Sequence, residues 1–154
     1  MKSTLLLWLA LMVFLTFTIN AQNNAPLKIA DEFNVVDKSP FHPYSENQPG
    51  FVFEEEFLSE GSSYVKLYLT NFDLAEGDYI EIFSPNKPDE KIIYAGKGKQ
   101  IADGSYISNF WTNTLEGDHL IIRLYSTGKS TNYGFDIEKV AYGYPEAYLE
   151  SLLN

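Results

Sequence analysis

The chain has 154 residues, no cysteine and a formal net charge of −10, and 16% of it is aromatic, with 11 tyrosines and 11 phenylalanines. The length sets one domain as the expectation, and the aromatic share excludes a disordered chain and suits strands. The acidic balance excludes an electrostatic grip on nucleic acid or anionic lipid, and the lack of thiols excludes a Cys nucleophile, Cys-ligated zinc and a disulfide framework.

Met1-Lys2-Ser3 carries one positive side chain, and Thr4 to Ile19 then runs without a charge before Asn20-Ala21-Gln22. A short basic start, an apolar run and a small residue before a polar stretch read as a secretory signal peptide over 1–21, cleaved after Ala21. The run is short for a membrane span and no basic stop-transfer cluster follows, so no membrane insertion is expected after cleavage. Residues 22–50 read as an irregular lead-in, punctuated by Pro26, Pro40, Pro43 and Pro49.

From Phe51 the apolar period becomes two, with Phe51, Phe53 and Phe57 alternating with Val52, Glu54 and Glu56. Residues 62–70 place Val65, Leu67 and Leu69 on one face and Tyr64, Lys66 and Tyr68 on the other, a half-buried antiparallel strand. Asp78 to Phe83 repeats the pattern, with Ile80 and Ile82 opposed to Tyr79, Glu81 and Phe83. Residues 84–89 read as a turn and Lys91 to Tyr94 as a short strand. Tyr106 to Thr112 gives another strand, and His119 to Tyr125 buries Leu120, Ile122 and Leu124 while Arg123 and Tyr125 face out. Tyr133 to Val140 closes the set with Phe135 and Ile137 inward. Many short strands between frequent turns predict a sandwich or barrel over 51–144. Pro145, early acids and helical apolar spacing predict one short terminal helix within 145–154.

The stretch 62–141 resembles a CUB domain, a small secreted β-sandwich. The strand from Val65 leads into Asn71-Phe72-Asp73-Leu74, similar to the family's Phe-x-Leu segment. Gly77 to Ile82 is similar to its strand ending in Glu-Ile, His119 to Ser126 to its late strand ending in Ser, and Gly134-Phe135 to its near-terminal Gly-Phe. The resemblance implies a jelly-roll-like antiparallel sandwich that binds protein or glycan outside the cell. Many members also hold calcium through a Glu, an Asp opening the next strand and an Asp after the late strand. Here Ala75 stands near the first place with Glu76 beside it, Asp78 fits the second, and Thr127 occupies the third. Glu76 and Asp78 are therefore the calcium candidates, and no other cofactor is expected. The family's usual one or two disulfides have no cysteines here.

The same stretch, with Asn109-Phe110-Trp111 and residues 139–146 (KVAYGYPE), is also similar to a CUB-like module ahead of the peptidase in some secreted trypsin-like serine proteases. The alternative expectation is thus a non-catalytic accessory region of such a protease, lacking its peptidase domain.

Serine acyl transfer needs a histidine base and an orienting acid, yet the two histidines, His42 and His119, lie in the lead-in and at a strand start, and no Gly-x-Ser-x-Gly elbow exists. Glu54, Glu55 and Glu56 are consecutive on a strand, so they point to alternate faces and read as a solvated edge. Gly96-Lys97-Gly98-Lys99 lacks the spacing and helix of a phosphate loop and reads as a hairpin. No catalytic residues are expected. Tyr64, Tyr68, Tyr79, Trp111 and Tyr125 face out and are the candidate binding surface. The expectation is a secreted, non-catalytic CUB-like domain that binds an extracellular protein or glycan.

Overall fold

The computed structural model describes residues 26–44, 49–128 and 131–153. The signal peptide over 1–21 and its cleavage point lie outside the described residues. Eleven strands and one helix are described: β1 (Ala30–Asn34), β2 (Gly50–Leu58), β3 (Tyr64–Asp73), β4 (Tyr79–Ser84), β5 (Lys87–Ala95), β6 (Lys99–Gln100), β7 (Tyr106–Ile107), β8 (Phe110–Trp111), β9 (Leu115–Glu116), β10 (His119–Ser126), β11 (Gly134–Gly143) and α1 (Glu146–Leu153). One sheet runs β1-β11-β3-β8, with β9 also on β3; the other runs β2-β10-β4-β5; β6 and β7 form a small third. Every pairing is antiparallel, so the fold is the all-β sandwich that the alternating pattern predicts.

The ten residues expected inside are all buried: Val65, Leu67, Leu69, Phe135 and Ile137 from the first sheet, Ile80, Ile82, Leu120, Ile122 and Leu124 from the second. They share one cluster, to which Phe57, Phe72, Phe110 and Val140 add rings and branches. Each such side chain contributes about 1.5–3 kcal/mol on leaving water. At the C-terminus Pro145 opens α1, its carbonyl accepting from the amides of Tyr148 and Leu149.

Four expectations need correction. The lead-in is not wholly irregular, because β1 pairs with β11 from Ala30–Gly143 to Asn34–Lys139. Its sequence, Ala-Asp-Glu-Phe-Asn, buries no regular face, so nothing periodic marked it; backbone pairing on a sheet edge holds it. The turn after β4 is only Pro85-Asn86, and β5 starts at Lys87. Pro88 is tolerated there because β5 is an edge strand that needs no second ladder. The strand over Tyr106 to Thr112 is split into β7 and β8 at Ser108-Asn109. Finally, Glu81 and Phe83 hold the solvent-side parity of β4 yet are buried.

Bulges set which aromatics point inward. Between β2 and β10 the register slips so that Phe53 opposes Leu124 but Phe51 opposes Tyr125, leaving Val52 as the extra residue. Phe51 is thereby turned to the outer face, 55% exposed, while Phe57 opposes Leu120 inside. A second slip between Ile137 and Lys139 keeps Val140 buried after Ile137. A third, opposite Phe135, places Asn71 at φ 53, a left-handed conformation that Asn tolerates better than most residues.

Candidate functional site

The outer face of the four-stranded sheet is built from cross-strand rows. In the first, Phe51, Tyr125 and Tyr79 stand opposite one another on β2, β10 and β4, with ring centroids 6.0 and 5.1 Å apart. In the next, Glu54, Arg123, Glu81 and Ile93 follow across β2, β10, β4 and β5. Arg123 donates through Nε to Glu54 and sets its guanidinium 4.8 Å from the Phe83 ring centroid and 5.9 Å from that of Phe51. These contacts combine charge with cation–π attraction.

Glu81 anchors this face. A buried carboxylate is costly unless charges and donors meet it. Lys91 donates to its Oε2 at 2.7 Å, Tyr125 Oη to its Oε1 at 3.1 Å, and Arg123 lies 3.9 Å from Oε1. Lys91 also sits 5.4 Å over the Phe83 ring, which explains why that ring is covered on the outer side. The hydrogen bond to Glu81 holds the Lys91 ammonium above its usual pKa. Burial first, and then Glu81, push the Tyr125 phenol up. Side chains tied this way have little rotamer freedom left to lose on binding. Phe51, at the β2 end of the first row, and Ile93, at the β5 end of the second, are the half-exposed apolar ends of this face.

The five expected surface aromatics do not form one platform. Tyr79 and Tyr125 belong to the face just described. Tyr68 and Trp111 pair across β3 and β8 on the outer face of the other sheet, their centroids 5.2 Å apart, and Tyr64 lies on that side over Gly143. Equal parity places side chains on the solvent side of their own sheet, and the two sheets of a sandwich have opposite solvent sides.

Asp78, a calcium candidate, is 1% exposed and faces inward. Its Oδ2 accepts from Tyr44 Oη and from Ser126 Oγ at 3.1 Å, and its Oδ1 accepts from the Thr127 amide at 2.6 Å. Tyr44 Oη in turn accepts from the Ala75 amide at 3.0 Å. Burial pushes the carboxyl up, but the donors from Tyr44, Thr127 and Ser126 outweigh it and hold Asp78 below the usual carboxylate range. Calcium would have to displace these protein donors to reach either oxygen. Glu76, the other candidate, is exposed in the loop after β3. Among the described residues no three His, Asp or Glu side chains converge as a metal site.

A further feature was not expected from the sequence. An open surface cavity of about 610 Å³, shallow rather than enclosed, is lined by Asn71, Asp73, Lys97, Tyr106, Ser108 and Tyr133, from the end of β3, the turn before β6, β7 and the entry to β11. Asp73 Oδ1 accepts from Lys97 and, at 2.9 Å, from Asn132. Lys97 first, against a smaller opposing effect of burial, holds the Asp73 carboxyl below its ordinary value. Asn71 donates to Asp136 Oδ2 at 2.8 Å. Tyr133 stacks on His42, centroids 3.9 Å apart, and donates to Asp136. The His42 ring nitrogens lie 2.7 Å from the Tyr133 carbonyl oxygen and 3.0 Å from Asp136 Oδ1. The one local signal was Asn71 beside Asp73; the remaining residues come from distant stretches. His119 lies beside Glu56, and among the described residues neither histidine is hydrogen-bonded to a serine. No family model, no curated protein and no solved structure matches the chain significantly.

Proposed function

We propose that this chain is a secreted, non-catalytic CUB-like domain that acts by binding an extracellular protein or glycan through the outer face of its four-stranded sheet. The observation that carries this reading is the Phe51–Tyr125–Tyr79 row, tied through the Tyr125 hydroxyl to Glu81, which Lys91 and Arg123 flank in the neighbouring row. Aromatic rings and Arg on a preorganised scaffold are the groups that concentrate binding energy in interfaces. The apolar leader over residues 4–19 supports export, and the antiparallel sandwich agrees with the CUB-like sequence features.

The test compares the two faces. Purified protein is screened by cross-linking against secreted proteins and on a glycan array. Tyr79→Ala with Ile93→Asp should abolish the captured ligand, while Tyr68→Ala on the opposite sheet leaves it unchanged. Loss through Tyr68→Ala alone would move the surface to the other sheet and overturn the assignment.

A further inference from the structure

We propose that the cavity between the end of β3, the Gly96–Gly98 turn and the entry to β11 is a saccharide site that takes one neutral pyranose unit, independent of the sheet face assigned above. It is a shallow, widely open depression of about 610 Å³, inside the ~300–1,000 Å³ range of small-molecule sites but able to cover only one side of a ligand. Two tyrosines supply ring surface, Tyr106 being 54% and Tyr133 41% exposed. One face of Tyr133 is already covered by the parallel His42 ring, so its exposure belongs to the other face and the edges. A sugar's C–H-rich face packs against such a ring, whose π-face carries negative potential.

The polar groups match a pair of neighbouring hydroxyls. Asp73 uses Oδ1 for Lys97 and Asn132, and Oδ2 has no protein donor among the described residues. Lys97 offers three donors and is largely exposed, so it keeps hydrogens beyond the one given to Asp73. An acceptor and a donor side by side let one hydroxyl donate to Asp73 while it or its neighbour accepts from Lys97. Both groups are already fixed by each other, and Asn71 by Asp136 and its left-handed backbone, so little ordering remains for the ligand to impose. Charge selects the ligand further. Lys97 is neutralised by Asp73 and the whole chain is acidic, so a phosphate, sulfate or uronate gains no net attraction here.

The experiment is an amide-resolved NMR titration of the isotope-labelled protein with methyl glucoside, methyl mannoside, methyl galactoside and N-acetylglucosamine, each to about 50 mM, a ceiling suited to millimolar affinity. At least one sugar should shift the amides of residues 71–73, 97, 106–108 and 133. Tyr106→Ala and, separately, the exposed Lys97→Met should each weaken that sugar about tenfold, the loss expected of one ring or one hydrogen-bonding contact. Tyr68→Ala, outside both sites, should leave the affinity unchanged, and the amides of residues 79–81 and 123–125 should not shift, which separates this site from the sheet face. Absence of shifts for all four sugars, shifts insensitive to both variants, or tighter binding of inorganic phosphate at the same amides would each overturn the proposal.

Discussion

Asp78 joins three distant segments at one carboxylate, and removing it leaves Tyr44, Ser126 and the Thr127 amide without their shared acceptor. Asp78→Ala is expected to lower stability by about 2–4 kcal/mol, since bonds to charged groups are worth ~1.5–3 kcal/mol and the orphaned donors add to the loss. Urea denaturation at neutral pH measures it. Because the folded carboxyl sits below its ordinary value, its contribution is complete above about pH 4 and disappears as pH falls through the folded value. Wild-type stability should therefore drop more steeply on acidification below that point than stability of Asp78→Asn. The same bonds predict that calcium and a chelator give equal melting temperatures; a site with Kd a hundredth of the added calcium would add ~2.7 kcal/mol, a shift of several degrees. Gly143 is constrained differently, because a Cβ there would run into the Tyr64 ring and the Ser63 hydroxyl. Gly143→Ala should cost about 1–3 kcal/mol by overpacking, and Tyr64→Ala in the same chain should recover most of that loss in a double-mutant cycle.

Three phenylalanines on β2 show what alternation conveys and what it omits. Phe51, Phe53 and Phe57 share one parity in the sequence, yet Phe57 is buried, Phe53 packs at the core margin and Phe51 is turned outward by the bulge at Val52. Phe57→Ala should cost about 3–5 kcal/mol, and Phe51→Ala less than about 1 kcal/mol, read as urea midpoints. Six of the ten core residues were legible because burial alternates along β3 and β10, whereas on β4 the Ile-Glu-Ile pattern marked Ile80 and Ile82 although burial runs unbroken from Ile80 to Ser84. The bulge was not, since it is a slip of backbone pairing that no residue type marks. Glu81 was hidden for another reason: its partners Lys91, Arg123 and Tyr125 lie 10 to 44 positions away, so only the folded sheet shows that an acid of solvent parity is covered. The end cavity was likewise invisible, drawing its walls from residues 71 to 133.

Across the whole molecule, stability should be graded from the sheet centres outward. β10 pairs on both sides, with β2 and β4, and β11 pairs with β1 and β3, whereas β1 and β5 each have one partner. Amide hydrogen exchange should be slowest in β10, β3 and β11 and fastest in β1 and β5. Sequence distance also governs folding: β1 must find β11 more than a hundred residues on, so the loop-closure cost is met before that edge forms. The edge position of β1 bears on how the domain can be trimmed. A polypeptide starting at Gly50 lacks the strand over Ala30–Asn34, and the stretch of β11 from Lys139 to Gly143 that pairs with it then presents bare amides and carbonyls. Intact, the acidic Asp31 and Glu32 on a short strand close that edge; without them, strand-to-strand aggregation is the expected fate of the shortened protein.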